Sequence, residues 1–120
     1  MRKVTVHRQR RLVGCAVSVL VFAVENFDIA GKMCKEDFSL LGKIKNGQLL
    51  ESEIVENEVA IVAAYDSLGE FMITDYITIP QGTEDVILKG EIKLAPLKGN
   101  PFLFEKYDFS SGSYLKSNRQ

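Results

Sequence analysis

The chain holds no tryptophan, one histidine, two cysteines and three prolines in 120 residues. Each scarcity excludes something. A single imidazole, His7, leaves a nucleophile without a choice of bases and a zinc ion without its set of nitrogen and sulfur ligands. Cys15 and Cys34 are too few for a disulfide scaffold, and with no export signal both are expected to be reduced, in a cytoplasm. No apolar run reaches the roughly 20 residues that a spanning helix needs. A formal net charge of -1 gives no general pull toward nucleic acid or anionic lipid.

What the chain does have is valine. The longest apolar run begins at Leu12, behind Arg8, Arg10 and Arg11, and stops at Glu25, Asn26 and Asp28. Leu12-Val13-Gly14-Cys15 looks like a lipoprotein cleavage box, but the apolar segment follows the cysteine when it should precede it, so no cleaved leader is expected. Val13, Val17, Val19, Val21 and Val24 are stiff at χ1 and suit a pleated surface. Both alternating faces are apolar, as in a strand covered on two sides, and Cys15 reads there as a small hydrophobe. At about 3.3 Å per residue the run is too long for one strand, so a strand pair over 8–24 is expected, broken at Gly14.

Further strands follow from alternation. Arg2 to His7 places Val4 and Val6 inward. Lys43 to Leu50 centres on Asn46-Gly47, the pair a type I′ hairpin turn favours, and predicts two paired strands. Glu58 to Tyr65 puts Val59, Ile61, Ala63 and Tyr65 on one face. After a turn at 66–69, Glu70 to Ile79 puts Phe71, Ile73, Ile77 and Ile79 on one face, interrupted by Asp75, which marks a bulge or an edge. Pro80-Gln81-Gly82-Thr83 stops the pattern and Asp85 to Leu94 resumes it. Between the 8–24 run and Lys43, 25–42 is an irregular connection with room for a short helix near Lys35 to Leu41.

The sum is an all-β chain, an antiparallel β-sandwich of six or seven strands over residues 1–100, immunoglobulin-like in its general plan. After Pro101 the composition changes. Phe102, Phe104, Tyr107 and Phe109 stand among polar residues and are the expected contacts for a partner, and Ser110 to Gln120 reads as disordered.

Three segments carry a resemblance. Val4-Thr5-Val6-His7-Arg8, Leu12-Val13-Gly14-Cys15-Ala16-Val17 and Gly42-Lys43-Ile44-Lys45-Asn46-Gly47 resemble parts of small bacterial β-sandwich domains of unknown function related to the PEGA group, as does the late turn Ile79-Pro80-Gln81-Gly82-Thr83-Glu84-Asp85-Val86. The resemblance spans roughly 2–94. It departs at the long 25–42 segment and at Glu56-Asn57, where those domains have tight glycine turns. It implies a β-sandwich and no catalytic residues.

Function follows from what remains. No residues assemble a catalytic, cofactor or metal motif, and Gly42 to Gly47 lacks the spacing of a phosphate loop. Glu51, Glu53, Glu56 and Glu58 read as a solvated face. The expected function is a non-enzymatic interaction module, binding a protein partner or its own copy. An alternative is a hydrolase or small-ligand enzyme with its site in 25–42, where Asp28, Cys34, Glu36 and Asp37 gather. A third is polyanion binding by the basic start, Arg2, Lys3, Arg8, Arg10 and Arg11.

Overall fold

A computed structural model describes residues 1–12, 14–27, 38–67, 70–94 and 100–118. These form nine strands: β1 (Arg2–Arg8), β2 (Val19–Val24), β3 (Ser39–Ile44), β4 (Leu49–Ile54), β5 (Val59–Ser67), β6 (Glu70–Ile79), β7 (Val86–Ile92), β8 (Phe102–Asp108) and β9 (Ser113–Lys116). They pair as a five-stranded sheet, β4-β1-β7-β8-β9, and a four-stranded sheet, β3-β2-β5-β6. All neighbours are antiparallel except β1 and β7. The chain is therefore the expected all-β sandwich, with no helix among the described residues, and none long and apolar enough to cross a membrane.

Two layers meet through alternate residues. Val4, Val6, Leu88, Phe102 and Phe104 from the longer sheet pack with Val19, Val21, Ile61, Ile77 and Ile79 from the shorter one. Burying each such side chain contributes roughly 1.5–3 kcal/mol. β2 is apolar on both faces because it is covered twice. Leu20, Phe22 and Val24 join Ala60, Val62 and Ala64 in a second cluster on the outer face, beneath Phe27, Phe38, Phe71 and Tyr76.

Several expectations change. The run over 8–24 is not a strand pair: β1 ends at Arg8 and β2 begins only at Val19. The chain between them turns around Gly14, which takes φ +68°, leaving Leu12, Cys15 and Val17 exposed. Cys15 is thus no core hydrophobe. The segment is held by Arg8, whose guanidinium turns inward and donates to the carbonyls of Val17 at 2.6 Å, Ile44 at 2.9 Å and Gly14 at 3.0 Å. A buried cation in that position outweighs the β propensity of the valines beside it.

The Asn46-Gly47 turn forms, with Gln48 N–H donating to Lys45 O at 3.0 Å, but only Gly47 takes positive φ, at +77°. That is the pattern of a type II turn rather than type I′. Its strands do not pair with each other. β3 joins β2 and β4 joins β1, so the turn carries the chain from one sheet to the other. The expected helix falls largely on residues outside those described, and within 38–41 the chain enters β3.

Asp75 marks both a bulge and an edge. Ala63 faces Asp75 while Ala64 faces Ile73, so Thr74 is the extra residue in edge strand β6. The bulge changes parity. Ile77 and Ile79 enter the inter-sheet core, whereas Phe71 and Ile73 pack on the outer cluster, not on the single face the alternation implies.

The largest correction concerns the last twenty residues. Phe102 to Asp108 is strand β8, paired with β7, and Ser113 to Lys116 is β9, paired with β8. The sheet continues through 116, so 113–116, inside the stretch Ser110 to Gln120 expected to be disordered, is strand. These two strands account for nine where six or seven were expected.

Candidate interaction surface

The four aromatics after Pro101 divide by register. Phe102 and Phe104 are fully buried, edge to face at 5.3 Å in the core, and are not available to a partner. Tyr107 lies on the opposite face of β8, and Phe109, in the turn beyond it, is 59% exposed. Tyr107 packs edge-on against Phe109 at 5.0 Å and against Tyr114 of β9 at 5.2 Å. Lys89 Nζ stands 4.0 Å from the Tyr114 ring centre, a cation over an aromatic face. The spacing 102, 104 against 107, 109 already separated even from odd positions, and that parity was the signal for the split.

A polar turn presents Phe109. The Asp108 carboxylate accepts from Ser110 N–H at 3.1 Å and from the hydroxyls of Ser110 and Ser111 at 2.8 Å each. These bonds hold its pKa below the ordinary carboxylate value. Gly112 N–H closes the turn on Asp108 O at 2.8 Å. Between this turn and the 80–85 loop lies an open groove of about 710 Å³, walled by Pro80, Glu84, Asp85, Lys106 and Phe109.

β9 itself is the most exposed strand, since all four of its residues face water. β6 packs against β8, which leaves β9 standing beyond the rim of the shorter sheet. It ends the five-stranded sheet, and its outer backbone edge has no ladder partner among the described residues. The opposite end of that sheet is β4, where Leu49 is 57% exposed. Beside it, between β3 and β4, opens a cleft of about 560 Å³ lined by Leu41, Ile54, Val55, Val59, Glu25 and Glu53.

The flank at β6 and β8 is closed by side chains that the sequence reading did not foresee. Thr74 Oγ1 donates to Phe102 O at 2.9 Å. Asp75 accepts from Phe104 N–H at 2.6 Å and from Ser117 Oγ at 2.7 Å. Beyond the last rung of β9, these groups take the place of the next residues of the strand. Asn118 then binds the edge of β6, its N–H to Tyr76 O at 3.3 Å and its Oδ1 from Thr78 N–H at 3.0 Å.

The basic start is not an exposed cluster. Arg2 and Arg8 are buried and donate to backbone carbonyls at opposite ends of β1, Arg2 to Val55 O and Asn57 O at 3.1 Å each. Arg11 pairs with Glu91. Only Lys3, Arg10 and Arg11 of the five reach solvent, which removes the continuous basic strip a polyanion would follow.

His7 is exposed on the solvent face of β1 and Cys15 in the loop after it. Among the described residues no group of histidine, cysteine and carboxylate side chains could hold a metal ion. Asp28, Cys34, Glu36 and Asp37 lie outside the described residues. No family model, curated protein or solved structure matches the chain, and the PEGA-related resemblance rests on the short segments quoted above.

Proposed function

We propose that this protein is a non-enzymatic interaction module that docks an extended protein segment on β9, with Tyr107, Phe109 and Tyr114 as its aromatic anchors. The observation that carries this reading is an edge strand exposed along its whole length and flanked by a partly exposed aromatic trio. A free edge supplies main-chain donors and acceptors for an added strand, and side-chain contacts beside it select the sequence. Tyrosine and phenylalanine lose little side-chain entropy when they bind, which suits them to that task. The resemblance to PEGA-related domains, which implies no catalytic residues, agrees with a binding role.

The test is selection of peptides from a random displayed library against the folded domain, followed by amide mapping in a two-dimensional NMR titration. Selected peptides are expected to shift residues 107–116, and Tyr114→Ala with Phe109→Ala should abolish binding without loss of fold. Binders that map elsewhere, or that are indifferent to both replacements, would overturn the reading.

A further inference from the structure

Among the described residues both ends of the five-stranded sheet are edges without a ladder partner, and their chemistry is complementary. On the solvent face, Lys89, Glu105 and Lys116 stand side by side across β7, β8 and β9, with Lys89 Nζ 3.8 Å from Glu105. The row alternates in sign and stops on a lysine. At the other end of the sheet the solvent face of β4 carries Leu49, Glu51 and Glu53, opposite His7, Thr5 and Lys3 of β1. The acid that would continue the row is thus on the far edge of the same molecule.

Backbone direction and register agree with such a junction. β4 runs antiparallel to β1, β1 parallel to β7, and β8 and β9 alternate after it. In copies stacked along the sheet, β9 of one therefore meets β4 of the next antiparallel. Arg8 N–H bonds Gln48 O, so the even residues of β4 point their amides at β1 and Leu49, Glu51 and Glu53 point theirs outward. Lys93 N–H bonds Pro101 O and Gly112 N–H bonds Asp108 O. By the same alternation, Tyr114 and Lys116 are the outward residues of β9. Phase, face and charge allow Lys116 opposite Glu51 or opposite Glu53; only the first keeps all of 114–116 within β4 (Leu49–Ile54), setting Leu115 opposite Ser52 and Tyr114 opposite Glu53. It keeps Leu115, 51% exposed in the single chain, on the inner face beside Ser52.

Resting on the proposed role of β9, we infer that its occupant is β4 of a second copy of this chain. The contact is heterologous, two different patches meeting, so it does not close on itself and each added copy presents a fresh edge. The protein assembles head to tail into open chains with a continuous sheet.

Sedimentation velocity of the full chain across a concentration series tests this, with Lys116→Glu, Glu51→Lys and the double replacement alongside. The wild type is expected to form a ladder of species that lengthens with concentration and shortens with salt. Each single replacement should weaken association by about fivefold, the size of a cross-strand charge pair, and the double replacement should restore it. Restoration excludes mere loss of β9, because Glu51→Lys cannot refold a strand on another edge. A wild type that stays monomeric, a closed dimer, single replacements that leave association unchanged, or a double replacement that fails to restore it would overturn the inference. A monomer that still binds selected peptides at 107–116 would overturn this assembly while leaving the interaction role intact.

Discussion

The carboxylate of Asp75 accepts the backbone N–H of Phe104 at 2.6 Å, across the boundary between the two sheets. It also accepts the Ser117 hydroxyl at 2.7 Å and is fully buried. Asp75→Ala leaves a buried amide and a hydroxyl without acceptors, and on the order of 3 kcal/mol should be lost. Ser117→Ala should cost about 1 kcal/mol. The two should be non-additive in urea unfolding, because they remove members of one network.

The aromatics of the last hairpin should separate by stability. Phe102→Ala and Phe104→Ala each open the centre of the core and should cost ~3–5 kcal/mol. Phe109→Ala, at an exposed position, should stay within about 0.5 kcal/mol. Thermal or denaturant unfolding of the three variants checks this; a costly Phe109→Ala would place that ring in the core after all.

Gly90 tests how tightly the sheets are packed. A Cβ built there would stand 2.2 Å from the Phe102 ring, and Phe102 is too enclosed to yield. Gly90→Ala should therefore destabilise by roughly 1–3 kcal/mol through overpacking. The paired variant Gly90→Ala with Phe102→Leu should recover part of the loss, measured in the same unfolding assay.

Alkaline pH should act through Tyr65. Burial raises its pKa above the ordinary phenol value, against the opposing effects of Arg8 and a backbone hydrogen bond with Phe102. Its hydroxyl donates to Asn100 O at 2.7 Å. The folded state thus keeps a proton that the unfolded chain gives up above about pH 10, and the associated stability is lost as pH rises through the folded value. Urea midpoints measured from pH 8 to 11 should fall more steeply in the wild type than in Tyr65→Phe.

The sequence was most legible where alternation is uninterrupted. Val59, Ile61 and Ala63 on β5, and Val4 and Val6 on β1, lie where the pattern puts them. It failed where one buried polar group redirects the backbone. Alternation with Val4 and Val6 does put Arg8 on the inner face, but nothing in the sequence announces that its guanidinium bonds the carbonyls of Gly14 and Val17 and holds that segment out of the sheet. Asp75 announced a bulge, but not that its carboxylate reaches the other sheet. Strand pairing was illegible at Asn46-Gly47, because a tight turn fixes local reversal and leaves open which sheet each arm joins. The candidate surface was half legible: Tyr107 and Phe109 remain in it, Phe102 and Phe104 do not, and Tyr114 was missed inside a stretch read as disordered.

The parallel pairing of β1 with β7 bears on how the chain matures on the ribosome. β1 emerges first, yet the neighbour on one of its sides is translated about eighty residues later, as Val4 faces Val86. The core rings Phe102 and Phe104 arrive later still. Until then β1 has a neighbour on one side only, β4, so the sheet cannot close before β7 and β8 have been made. A stalled product ending near residue 100 would be a substrate for chaperones and proteases.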